Sequence, residues 1–62
     1  MAITVSIVDD NPHMRKSLSQ VLNLSDRLEC IGTYAGVDEA ISGVAVHTPD
    51  ILLMDMIKIK ML

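Results

Sequence analysis

Three carboxylates carry the concentrated chemistry of this sequence: the adjacent Asp9 and Asp10, which follow a run of β-branched residues, and Asp55, which closes the apolar run Ile51-Leu52-Leu53-Met54. Carboxylates brought together repel one another unless a cation neutralises them, and a hard divalent ion is the natural remedy. Mg²⁺ prefers an octahedron of oxygens, keeps several waters, and commonly joins one or two carboxylates to a phosphate oxygen. An acidic crevice that would repel phosphate then accepts it. One aspartate can attack phosphorus as a nucleophile while the ion stabilises charge on the transferring group. Asp9-Asp10 alone is ordinary turn composition, because Asp is common in loops. Convergence with Asp55 is what points to a site.

The elements that must position these acids are legible from changes in apolar period. Ile3, Val5 and Ile7 alternate, and Val8 fills the other face, which predicts a first strand over Ile3 to Val8 covered on both sides. Asn11 is suited to cap a helix, and Pro12 to its first position, where a missing N–H costs nothing. Met14, Leu18, Val21 and Leu22, with Ser25 at the end, predict the inward stripe of a helix reaching about Leu24; Arg15, Lys16, Ser19 and Gln20 occupy the opposite face. After the polar break Ser25-Asp26-Arg27, Leu28 to Thr33 reads as a short second strand. Gly32 and Gly36 bracket a predicted turn. Val37, Ala40, Ile41 and Val44 then mark a shorter helix with Asp38 and Glu39 in its first turn. Thr48-Pro49-Asp50 ends that helix, and Ile51 to Met54 forms a third strand ending on Asp55.

Strand, helix, strand, helix, strand predicts an α/β unit of parallel strands with right-handed crossovers. Ligands of such sheets bind beyond the carboxyl ends of the strands, at the point where strand order reverses. Asp9, Asp10 and Asp55 are all expected there.

Composition narrows the field. With 62 residues the chain is one small unit, and such a unit buries only about 60% of the surface its unfolded form exposes. Five Lys and Arg against eight Asp and Glu give a net charge of −3, which argues against direct nucleic-acid binding by this chain. A lone Cys30 closes no internal disulfide, and one thiol with two dispersed histidines has no zinc spacing. The late aliphatic run is too short to span a bilayer, so no membrane association and a cytoplasmic location are expected. Cys30 reads as a small hydrophobe, His13 and His47 as surface histidines, and Met14, Met54 and Met56 as core filling.

Three blocks, Ile3-Thr-Val-Ser-Ile-Val-Asp-Asp-Asn-Pro12, Asp38-Glu-Ala-Ile41 and Pro49-Asp-Ile-Leu-Leu-Met-Asp-Met56, resemble in order the receiver domain of bacterial two-component response regulators. The likeness is closest to the branch with DNA-binding output domains, and it spans residues 2 to 56. The resemblance implies the N-terminal half of a flavodoxin-like receiver fold, βαβαβ, with parallel strands in the order 2-1-3; that order comes from the family's fold. It implies that Asp55 accepts a phosphoryl group from a sensor histidine kinase or a small phosphodonor. Asp10 would bind Mg²⁺ directly, Asp9 would help through water, and Ile57 would offer its backbone carbonyl. Such a domain is a phosphoacceptor rather than a turnover enzyme, and its full-length relatives control transcription.

The sequence departs from the family after Asp55. Lys58-Ile59-Lys60-Met61-Leu62 stands where a Pro-Gly type turn is usual, with Ile59 in place of the Pro. The expected organisation is a partial receiver domain over 1–56 and a divergent tail over 57–62. The fourth and fifth strands, the switch Ser or Thr and the phosphate-contacting Lys lie beyond what the sequence contains, and Lys58 and Lys60 follow Asp55 too closely to replace that Lys. Impaired phosphorylation is therefore expected, together with an open apolar sheet edge that invites homo- or hetero-pairing. The alternative is a non-catalytic interaction module, or an inactive fragment, that pairs with a kinase or an intact receiver. An aspartate-nucleophile phosphohydrolase ranks last, because Ile57 occupies the position of its second Asp.

Overall fold

A computed structural model describes residues 2–55 and contains β1 (Ile3–Asp9), α1 (Pro12–Asn23), β2 (Leu28–Tyr34), α2 (Val37–Val46) and β3 (Ile51–Asp55). The three strands form one parallel sheet in the order β2-β1-β3, as expected for the N-terminal part of a flavodoxin-like receiver fold. The chain steps from β1 to β2 in one direction and from β2 across to β3 in the other. Right-handed connections therefore place α1 and α2 on opposite faces of the sheet.

Local sequence sets the boundaries. Asn11 caps α1 with its side-chain oxygen, which accepts from the His13 and Met14 N–H groups at 3.0 and 3.3 Å, and Pro12 takes the first helical position. In α2, Asp38 and Glu39 face the positive end of the helix dipole. The Gly36 cap has no side chain to offer, and Glu39 instead accepts from the Ala35 N–H at 3.4 Å. The core is centred on β1: Val5, Ile7, Val8 and Ala40 are buried, together with Ser6 and Asp9.

Several side chains depart from the periodic reading. The inward face of α1 is Arg15, Leu18, Ser19 and Leu22, while Met14 and Val21 are exposed. The stripe is rotated toward Arg15, whose guanidinium reaches back to donate to the Asp9 carbonyl at 2.7 Å. Neither Met14 nor Met54 fills the core; Met54 is 54% exposed. Met56 lies outside the described residues. Gly32 belongs to β2 rather than to a turn. Its role is spatial, since a Cβ there, or at Gly43 of α2, would run into the ring of Tyr34. The sole aromatic side chain thus takes the room left by two glycines, one on the strand and one on the helix.

α2 packs on β2 and β1 but stands off β3. Between them lies an apolar groove of about 380 Å³, lined by Val37, Ala40, Ile41, Val44, Leu52 and Met54. Val37 and Ile41, expected to point inward, face this open groove and remain exposed. Among the described residues the far edge of β3 pairs with no strand.

At the other end of the sheet, Thr4 and Asp50 clasp the starts of β1 and β3. The Asp50 carboxylate accepts from the Thr4 N–H at 2.9 Å and the Thr4 hydroxyl at 3.0 Å. In return, the Asp50 N–H donates to the Thr4 hydroxyl oxygen at 2.9 Å and the Thr4 carbonyl at 3.0 Å. The bonds from Thr4, backbone first and side chain second, hold the Asp50 carboxyl below its ordinary range.

Two outcomes follow from this packing. Gly43→Ala would stabilise an unobstructed helix by about 1 kcal/mol, but here it should lower the thermal midpoint, and combining it with Tyr34→Val should reverse the sign. For Asp50, a depressed folded-state pKa means that its contribution is complete above the unfolded value of about 3.9 and is lost as pH falls through the lower folded value. Acid titration followed by circular dichroism should therefore show a shallower loss of structure for Asp50→Asn than for the wild type in that window.

Candidate functional site

The carboxyl end of β1 is where charge enters the core. Asp9 is only 3% exposed, the last residue of a strand buried from Val5 onward. Its Oδ1 accepts from the Asn11 N–H at 2.9 Å, closing a tight turn into α1, and its carbonyl receives the Arg15 guanidinium. Arg15 therefore binds the Asp9 backbone rather than its carboxylate. The second oxygen, Oδ2, is buried with no hydrogen-bond partner. An unpaired buried carboxylate oxygen is costly, and such an atom calls for a ligand, an ion or a water.

Asp10 follows at the surface, beyond the end of the strand. Asp55 ends β3, and the parallel register pairs its Cα directly with that of Asp9. The two strands thus end on aspartates in adjacent register, with Asp10 next in sequence. Ile57 lies outside the described residues. His13 is exposed on the first turn of α1 and His47 is exposed after α2. Cys30 is half-buried in β2, where its thiol faces the Gly32 carbonyl at 3.6 Å.

Periodicity missed Arg15, because a charged residue on an amphipathic helix is assigned to solvent by default. It missed Asn23 as well, whose side chain accepts from the Cys30 N–H at 3.1 Å and covers part of the β2 edge. Thr4 and Asp50 carry no mutual signal in the sequence either, being 46 residues apart.

Among the described residues no three His, Cys, Asp or Glu side chains form a ready metal cluster. Mg²⁺ needs fewer protein ligands than that, since it retains waters and takes one or two carboxylates. The orphaned Asp9 Oδ2 is a hard anionic oxygen of the type it prefers, so the residues present fit the ion.

An open parallel sheet with aspartates at the carboxyl ends of adjacent strands defines a class of α/β domain that binds its ligand at that edge. The family model for the response regulator receiver domain matches residues 5–59, and the chain belongs to that family. It is a receiver domain of the two-component signalling systems. Among similar curated proteins is a protein-glutamate methylesterase/protein-glutamine glutaminase of Geobacillus kaustophilus, 41% identical over 87% of this chain and 16% of its own length. A second protein of that name, from Vibrio cholerae, is 38% identical over 90% of this chain and 15% of its own. Oxygen regulatory protein NreC of Staphylococcus carnosus is 38% identical over 84% of this chain and 24% of its own. The chain thus spans at most about a quarter of these relatives. No solved structure matches it significantly.

The buried, unpaired oxygen generates a direct test. Asp9→Asn removes the charge while keeping the size, so it should raise the melting temperature in the absence of divalent ions. It should also abolish the Mg²⁺-dependent rise in melting temperature expected of the wild type. Paired thermal melts with and without Mg²⁺ measure both effects.

Proposed function

We propose that Asp55 is the phosphoryl acceptor of this receiver domain, taking its phosphoryl group from a phosphohistidine of a sensor kinase or from a small phosphodonor. The reading is carried by one observation: the carboxyl ends of β1 and β3 pair Asp9 with Asp55, and the Asp9 carboxylate has a buried oxygen without a partner. Asp9 and Asp10 are the side chains that would hold Mg²⁺, with the Ile57 backbone carbonyl and Asp55 completing the protein's share. When bound, the ion supplies positive charge beside the transferring phosphoryl group.

The chemistry required of the chain is a single substitution at phosphorus. A carboxylate oxygen of Asp55 forms the new O–P bond as the P–N bond to the donor histidine breaks, and the bonding pair stays with the imidazole nitrogen, which takes up a proton. The Asn11 N–H fixes one oxygen of Asp9, so its other oxygen is aimed without further ordering cost. Control of transcription through a linked DNA-binding output region completes the proposal.

A second reading is favoured by the exposed apolar β3, whose Ile51, Leu52, Leu53 and Met54 are each at least 40% exposed. In that reading the domain pairs through its sheet edge with a kinase, an intact receiver or a second copy, without chemistry. Asp55→Asn separates the two. Incubation of the wild type with acetyl phosphate and Mg²⁺ should add one phosphoryl group by intact mass, and the Asn variant should add none. Partner binding and signalling output left unchanged by Asp55→Asn would select the interaction module.

A further inference from the structure

We propose that Asp50, acting through Thr4, is a positioning residue that sets the register of β3 and thereby places Asp55 beside Asp9; the proposal rests on the acceptor reading of Asp55. β3 has little else to specify its register. Its first four residues are uniformly apolar, and Ile51, Leu52 and Leu53 are 44%, 41% and 40% exposed, so neither face is distinguished by burial. Where one face is clearly buried, a one-residue slip is penalised by the hydrophobic pattern, but a strand apolar on both faces lacks that penalty. A slip here would exchange one aliphatic side chain for another along most of the strand.

Its cost would fall on Asp55. Shifting the strand by one residue turns every side chain to the opposite face and takes Asp55 out of register with Asp9. The sheet does tolerate register changes, because the β1–β2 pairing shifts between Val5 and Ser6, whereas the β1–β3 pairing continues unshifted from Val5↔Ile51 to Asp9↔Asp55. The Thr4–Asp50 clasp stands immediately before the first of those pairs. Its side-chain bonds hold both directions of the contact, Asp50 carboxylate to Thr4 and Thr4 hydroxyl to the Asp50 N–H. Asp9 and Asp55 each lie five residues beyond the clasp, so a polar contact at one end of the sheet fixes which acids meet at the other. Only a side chain with an acceptor oxygen at position 50 can make it.

The test compares Asp50→Ala, Asp50→Asn and Thr4→Val in the full chain, with Leu18→Ala on α1 as a control for lost stability alone. Two quantities are read: the rate of Asp55 phosphorylation by acetyl phosphate with Mg²⁺, normalised to the folded fraction, and nuclear Overhauser contacts between the backbones of Val5 and Ile51. Asp50→Ala should lose the Val5–Ile51 contacts and roughly tenfold or more of the rate per folded molecule, the scale expected when a reacting group is misplaced. Asp50→Asn keeps the acceptor oxygen and should retain both. Leu18→Ala should lose folded fraction but not rate. Thr4→Val removes the two hydroxyl bonds but keeps the Thr4 N–H bond to the Asp50 carboxylate, so it should lose only part of both the rate and the contacts; if Asp50→Ala does not fold in buffer, it is read in sucrose, which favours the compact state. Wild-type rate per folded molecule together with retained Val5–Ile51 contacts in Asp50→Ala overturns the proposal. A wild type that takes up no phosphoryl group overturns the acceptor reading instead, and the register claim then stands or falls on the Val5–Ile51 contacts.

Discussion

The parallel pairing of β1 with a neighbour on each side is the constraint on which the rest of this structure depends. With β2 and β3 flanking it, and α1 and α2 packed against it, Val5 through Asp9 lose nearly all contact with water. Each other element reaches the core by reference to this strand. α1 is tied to it through Asn11 and Arg15, β2 begins beside it where the Ile3 N–H donates to the Arg27 carbonyl at 2.7 Å, and β3 is clasped to it through Asp50. Among the described residues, three of the four buried hydrophobic side chains, Val5, Ile7 and Val8, lie on this strand.

That burial puts an anion where hydrophobic packing alone would not place one. Asp9 sits on the same strand as Val5, Ile7 and Val8, and the nearby cation, Arg15, is engaged with the backbone carbonyl. A carboxylate oxygen buried with no partner is a local conflict between packing and solvation. Ser6 shows the lesser form of the same conflict, a buried hydroxyl with no partner and no adjoining acid to give it purpose.

The sheet is unevenly finished. Around β1 the packing is close, down to the two glycines that admit the Tyr34 ring, whereas β3 carries exposed aliphatic side chains and an open groove toward α2. Asp55 ends that less covered strand, in register with Asp9 of β1. The less covered strand is joined to β1 at its start by the polar contact between Thr4 and Asp50.

Much of this was legible in the amino-acid sequence because the relevant signals are local. β-branched alternation marks β1, Asn11-Pro12 marks the start of α1, the acids at 38 and 39 mark α2, and the short apolar run into Asp55 marks β3. Those elements, with the three acidic positions, follow from backbone propensity and periodicity, which act over a few residues. What only the tertiary structure decided is how side chains far apart in the chain share space. Arg15 turns inward because the Asp9 carbonyl is there to receive it, and Gly32 lies within a strand because Tyr34 needs its volume. Asp50, which reads as a residue of a helix-ending turn, is instead the counterpart of Thr4, a relation that exists only once β1 and β3 lie side by side. Register across a sheet is a long-range property, and a uniformly apolar strand does not encode it.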